Sequence, residues 1–148
     1  MDQIKRHEGF MANPYHCTEG HLTIGYGYNL DANPLRLPAY EIDAIKTLGV
    51  SQTRAEQLLN AVIAAITKEL YQALPWIIRL NEARQEVLVN MAYNLGIPGT
   101  LKFKRTLNLI EHGDYDNAAD AMLKSKWAEQ VKSRAVELSK QMRTGKFV

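Results

Sequence analysis

Apolar residues recur along this chain with two different periods. Leu22, Ile24, Tyr26 and Tyr28 alternate with Thr23, Gly25 and Gly27, the period of two that marks a strand. Turn formers at Asn13, Pro14, Glu19 and Gly20 stand before that run, so a small antiparallel sheet with a turn near residues 18–20 is predicted. From Ser51 the period lengthens. Ala55, Leu58, Leu59, Val62, Ile66 and Leu70 follow i, i+3, i+4, i+7 spacing, which predicts one helix over roughly 51–73, stopped by Pro75. Thr53 with Glu56 fits a capping box there, and Ser51 is an equally good N-cap.

Further helices are predicted at about 81–95, 104–112, 116–128 and 133–143, with Gly96, Pro98, Gly113 and Gly145 as stop signals. At the start of the chain Asp2 can cap a short helix that ends at Gly9. Residues 29–50 contain Pro34 and Pro38 and hold at most one short helix near 39–48. The predicted class is α+β, mostly α. A small lobe carrying an antiparallel β-sheet (residues 10–50) leads through a long connecting helix (51–73) into a larger α-helical lobe beginning at residue 74. A cleft between such lobes is a usual place for a ligand.

Composition narrows the class. A chain of 148 residues, 46% hydrophobic and 23% charged, is the size of one globular domain and excludes a fibre or a disordered tail. Cys17 is the single cysteine, which excludes an intrachain disulfide and a zinc site built on several thiolates. The first twenty residues lack the apolar core of a secretory signal, and the longest aliphatic run, 61–66, is too short to span a bilayer. Synthesis in a reducing cytoplasm is the expectation. Charge is uneven along the chain: residues 101–148 carry ten basic and six acidic residues, whereas residues 1–50 carry four and six. A basic C-terminal third suggests a polyanionic partner, though scattered lysines also solvate ordinary helix surfaces.

Glu8 closes the first helix, Cys17 follows nine residues later, and Thr23 lies on the facing strand of the predicted hairpin. A carboxylic acid, a polar or nucleophilic partner and a hydroxyl in one cleft suit hydrolysis of a glycosidic bond. That reaction needs an acid for the leaving oxygen and a second group, or a held water, at the opposite sugar face. By residue type alone each also fits a plain role: a surface glutamate, a buried inert thiol, a β-branched strand residue.

The spacing is more specific than the residue types. Eight residues separate Glu8 from Cys17, five separate Cys17 from Thr23, and Ile24-Gly25-Tyr26-Gly27 follows. This pattern resembles the active-site signature of the T-even-type phage lysozymes, the endolysins of glycoside hydrolase family 24. The resemblance continues through Val89–Gly96, Asp116–Ala119, Ser125–Trp127 and Arg143–Gly145, and is least clear over 31–80. It implies the two-lobed lysozyme fold, with residues 1–9 joining the helical lobe of residues 74–148. It also implies cleavage of the β-1,4 bond between N-acetylmuramic acid and N-acetylglucosamine in peptidoglycan.

The resemblance assigns roles residue by residue. Glu8 becomes the general acid, which must hold its proton near neutral pH; burial favours this, and Arg134, where the family places an arginine near the acid, opposes it. Thr23 becomes the hydroxyl that helps hold the attacking water. Cys17 stands where other members carry Asp, and its role stays open between a nucleophile giving retention, a base assisting a water and giving inversion, and a neutral wall of the site. His16 points to the opposite strand face and is a poor activator for the thiol. Tyr28, Asn29, Tyr93 and Thr106 occupy positions that line the cleft, Asn90 supports it through hydrogen bonds, Phe103 packs in the helical lobe, and Trp76 and Trp127 read as core. No cofactor is implied. Peptidoglycan glycan strands are the implied partner of a monomer, without nucleic acid and without stable membrane insertion. Such a protein waits in the host cytoplasm until a holin opens the inner membrane, and then lyses the cell from the wall.

Other readings remain. Gly25 and Gly27 lack the third glycine of a phosphate loop. His7, His16 and His21 match no metal-ligand spacing. A lytic transglycosylase needs one acid/base carboxylate and no activated water. A nucleic-acid-binding protein would use Lys102, Lys104, Arg105, Lys124, Lys126, Lys132 and Arg134, but Glu111, Asp114, Asp116 and Asp120 are interspersed among them.

Overall fold

A computed structural model describes residues 2–148, and the chain divides into two compact units, one up to Ala65 and one from Ile66 onward. The first unit opens with helix α1 (Asp2–Glu8), in which Asp2 is the first helical residue rather than a cap before it. Gly9, at φ 70°, ends the helix by donating its N–H to the Lys5 carbonyl at 2.9 Å, in the left-handed conformation glycine adopts without steric cost. Strands β1 (Met11–His16), β2 (Leu22–Gly25) and β3 (Tyr28–Asn29) then form one antiparallel sheet in the order β1-β2-β3. Tyr15 pairs with Thr23, His16 with Leu22, and Thr23 with Asn29. The β1–β2 register slips between Met11 and Tyr15, where Pro14 has no N–H to give the ladder.

The period-of-two pattern over 22–28 therefore spans two strands and the turn between them. Its alternation does not separate a wet face from a dry one, because Thr23 is as buried as Ile24 and Tyr28. Ile24, Tyr28, Leu30, Ile45 and Leu58 form the core of this unit, with Leu22, Leu35, Leu37, Ile42, Val50 and Val62 packed around them. Helix α2 (Ala39–Leu48) fills the short helical segment expected near 39–48. Helix α3 (Gln52–Ala73) is the long helix, and of its two candidate caps Ser51 is the one used: its Oγ accepts the Arg54 N–H at 3.1 Å. Glu56 instead reaches Lys5 at 3.0 Å. At the start of α3, Ala55 faces Gly25 so closely that a Cβ at Gly25 would lie 2.9 Å from the Ala55 Cβ.

The second unit begins within α3. A 3-10 turn over Pro75–Arg79 follows, absent from the predicted elements, and it leaves Trp76 half-buried rather than in the core. Asn81 caps α4 (Glu82–Leu101) by accepting the Arg84 N–H. Gly96 breaks α4 at φ 79° and ψ 163°, where the sequence predicted its end, but helix resumes around Pro98 and continues to Leu101. Next come α5 (Lys104–Glu111), α6 (Tyr115–Leu123), α7 (Lys126–Val131) and α8 (Ser133–Thr144). The single helix expected over 116–128 is two, because Ser125 leaves the helical conformation and its Oγ caps α7 at the Ala128 N–H, 3.2 Å away. Helix α8 packs on α4, α6 and α7, around buried Val87, Leu88, Met91, Ile110, Met122, Trp127, Leu138 and Met142.

Arg84 holds the end of α8. Its Nε donates to the Met142 carbonyl at 2.8 Å, Nη2 donates to the Arg143 carbonyl at 3.1 Å, and the guanidinium lies 3.5 Å from the centroid of the Tyr115 ring. A cation on the last carbonyls of a helix satisfies orphan acceptors and complements the macrodipole. Arg84→Ala is expected to lower stability by about 2 kcal/mol, as for loss of charge-assisted hydrogen bonds to backbone carbonyls. Arg84→Lys, which cannot reach both carbonyls with one fork, is expected to recover less than half of that, both read from urea midpoints at constant m.

Candidate active site

The β1–β2 turn builds the part of the site around the cysteine. Cys17 directly follows β1, and its N–H donates to the His21 carbonyl at 2.9 Å, while the Gly20 N–H closes the turn onto the Cys17 carbonyl at 2.8 Å. The same His21 carbonyl accepts the Thr23 hydroxyl at 2.9 Å. One backbone acceptor thus fixes both residues, Cys17 half-buried and Thr23 4% exposed.

Desolvation pushes the Cys17 thiol up, and the carboxylate of Glu19 adds to that. Hydrogen bonds to the sulfur from the backbone at Glu19 and His21 and from the Thr23 hydroxyl act the other way, and they win: the thiol lies below its ordinary value. The carboxylate that opposes the thiolate here is Glu19. His16 is exposed and takes no part in lowering the thiol.

Glu8 is half-buried at the end of α1. Gly27 runs directly beside it: at φ 83°, a Cβ on Gly27 would stand 2.8 Å from the Glu8 Oε2. Any side chain there would both strain the backbone and displace the carboxylate. Tyr15 ties the two halves of this unit's chemistry. Burial, then Glu8, then Cys17 each raise its phenol above the ordinary value, so Tyr15 is a neutral hydrogen-bond donor at neutral pH, in register opposite Thr23. Sequence reasoning gave no site role to Tyr15 or Glu19, and met Gly27 only as part of the signature. The strand period could have found Tyr15, which must share a face with Thr23 in that hairpin.

Two predicted binding residues are absorbed by local structure. Tyr28, expected on substrate, is 4% exposed. Its hydroxyl donates to Asn33 Oδ1 at 2.7 Å and accepts the Leu35 N–H at 3.2 Å, which organises the loop after β3. Asn29 accepts the Ala32 N–H at 2.9 Å in the same loop.

The second unit holds the remaining predicted residues. Arg134 is buried and its Nε donates to Asn90 Oδ1 at 3.1 Å, with Asn90 1% exposed. Tyr93 is half-buried one turn along α4 from Asn90, and Thr106 is buried in the first turn of α5. Trp127 is core, with its indole N–H on Asn94 at 2.8 Å and its ring edge-on to Phe103. Burial removes Arg134 from the basic surface a nucleic-acid reading required. Among the described residues no group of three or more His, Cys, Asp or Glu is placed to hold a metal ion, and no helix is long and apolar enough to cross a membrane.

A mostly helical α+β chain with one small antiparallel sheet fits the class of lysozyme-type glycoside hydrolases, the muramidases. The family described as phage lysozyme matches residues 5–142, and the chain belongs to that family. It is 27% identical to a probable T4-type lysozyme 1 and 28% identical to a probable T4-type lysozyme 2, both of Dictyostelium discoideum, over 97% of this chain and 93% of each relative. It is 28% identical to the pre-baseplate central spike protein Gp5 of Enterobacteria phage T4, of which it spans 27%.

Replacing Thr23 tests the thiolate geometry. Thr23→Val keeps the β-branched shape but removes the hydroxyl, so the Cys17 thiol is expected to titrate at higher pH than in the parent, followed by thiolate ultraviolet absorbance. An unchanged titration would show that the hydroxyl does not hold the sulfur.

Proposed function

We propose that this protein hydrolyses the β-1,4 bond between N-acetylmuramic acid and N-acetylglucosamine in peptidoglycan, and that it acts on the cell wall to lyse a bacterial host. The observation that carries this reading is the shared anchor of Cys17 and Thr23 on the His21 carbonyl, in the same unit as the half-buried carboxylate of Glu8.

Glu8 protonates the leaving glycosidic oxygen. Thr23 has one hydroxyl proton and two acceptors for it, the His21 carbonyl and the Cys17 sulfur. With that proton on His21, the Thr23 oxygen and the Cys17 thiolate are both acceptors, and a water donating to them turns a lone pair toward the anomeric carbon. The thiolate takes the proton as the new C–O bond forms, so the product is inverted. Bare backbone at Gly27 lets the Glu8 carboxylate keep its place against the chain. Within the second unit, half-buried Tyr93 is accessible enough to meet a glycan whereas Thr106, 4% exposed, is not, and Asn90 holds the Arg134 guanidinium in place. Tyr28 acts on the substrate only through the loop it organises, while half-buried Asn29 keeps its amide N–H groups for the glycan. The protein works as a monomer without a cofactor and reaches the wall after a holin opens the inner membrane.

Glu8→Gln is expected to lower turnover of purified peptidoglycan by about 10²–10⁴-fold with the fold intact, since the amide keeps the shape and loses the proton. Turnover near the parent's would end this assignment. Among Cys17 variants, Cys17→Asp is expected to stay active, and Cys17→Ala to lose on the order of 10²-fold. An alanine variant as fast as the parent removes the thiol from the reaction. NMR of the first product checks the route: an inverted reducing end agrees with it, while a retained anomer or a 1,6-anhydro end contradicts it.

A further inference from the structure

Beyond the site, the second unit carries a concentration of charge that catalysis does not use. Phe103 meets Trp127 edge-on, with centroids 6.2 Å apart, and this contact brings the segment 102–105 alongside the segment 124–126. Lys102, Lys104, Arg105, Lys124 and Lys126 project from these two segments, and all five are exposed. None has a side-chain hydrogen bond or ion pair with any described residue. Two acids of the same unit are engaged elsewhere: Arg143 holds Asp116 at 3.5 Å and Asp120 at 2.6 Å. The acids nearest along the helices are Asp120, one turn before Lys124 on α6 and paired with Arg143, Glu129, one turn from Lys126 on α7, and Glu111, at the far end of α5.

Helix electrostatics account for only two of the five: Lys102 and Lys124 are the C-caps of α4 and α6, where the macrodipole favours cations. Lys104 and Arg105 stand in the first turn of α5, where the helix macrodipole disfavours cations. Four of the five are lysines, compact charges on flexible stems, and no neighbour fixes their geometry. Recognition of one carboxylate by a bidentate fork needs fixed geometry; attraction to an extended anionic surface needs only accumulated charge, each lysine contributing separately. Leu123, 41% exposed next to Lys124, supplies an apolar contact of the kind that settles into a headgroup layer.

We propose that this face adsorbs, without insertion, to a bilayer rich in anionic phospholipid headgroups. Adsorption is separate from the chemistry at Glu8 and Cys17 and does not depend on that reading. The lysine patch would keep the protein at the membrane surface bordering the wall.

Flotation of the full-length chain with vesicles of phosphatidylethanolamine and phosphatidylglycerol, about three to one, tests this against vesicles of phosphatidylcholine. Binding is expected to the anionic vesicles alone, and to weaken at least tenfold between roughly 50 and 300 mM salt. The triple variant Lys102→Gln, Lys104→Gln, Lys126→Gln is expected to bind at least about tenfold more weakly, with melting temperature and peptidoglycan turnover unchanged. Lys→Arg at the same three positions should keep binding, as should an equal loss of charge at Lys46, Lys68 and Lys140. The proposal is overturned if the parent ignores anionic vesicles, or if the glutamine variant binds them as the parent does. Patch-dependent binding seen with insoluble peptidoglycan or duplex DNA, and not with vesicles, overturns it as well.

Discussion

The backbone carbonyl of His21 accepts two hydrogen bonds, from the Cys17 N–H and from the Thr23 hydroxyl, both at 2.9 Å. This double acceptance closes the β1–β2 hairpin and sets where the thiol and hydroxyl stand. A carbonyl has two lone pairs, so both bonds form without competition, and neither residue can move unless the turn opens. Tyr15, opposite Thr23, is placed by the same ladder. The chemistry proposed for this unit is thus fixed by backbone pairing, with side-chain packing in support.

Missing side chains matter as much as present ones in the first unit. Gly25 lets β2 lie on α3 at Ala55, and Gly27 lets the chain pass Glu8, each at positive φ. A methyl group at either would collide with an atom less than 3.0 Å away. Tyr28 shows the converse: its ring fills the core while its hydroxyl, joined to Asn33, orders the loop that follows. Such a buried phenol stabilises because its polar tip is paired.

The second unit relies on contacts between distant parts of the chain. Arg84 on α4 reaches the carbonyls that end α8, and Gln141 on α8 donates to the Ala83 carbonyl at 2.8 Å. These reciprocal bonds lock two helices end to end around the buried leucines and methionines. The same unit leaves its lysines on the outside, unpaired, and draws Asp116 and Asp120 toward Arg143.

Much of the fold was legible in the chain because its signals are local. Gly9, Gly96, Gly113 and Gly145 all adopt positive φ where they end or interrupt helices, and the long helix begins after Ser51 as its hydroxyl predicts. The set Glu8, Cys17 and Thr23 stood out through its resemblance to a family signature, since residue type alone left each a plain structural role. Ser125 was missed because helical periodicity runs through it unbroken; only the packing of α7 against α8 and α6 rewards a new cap there. Tyr28 and Arg84 show the limit most clearly. Periodicity tells which face of an element is buried, but not against what. The phenol of Tyr28, the reach of Arg84 and the convergence of lysines across the Phe103–Trp127 contact were decided by tertiary structure, because their partners lie beyond the range in which sequence neighbours constrain one another.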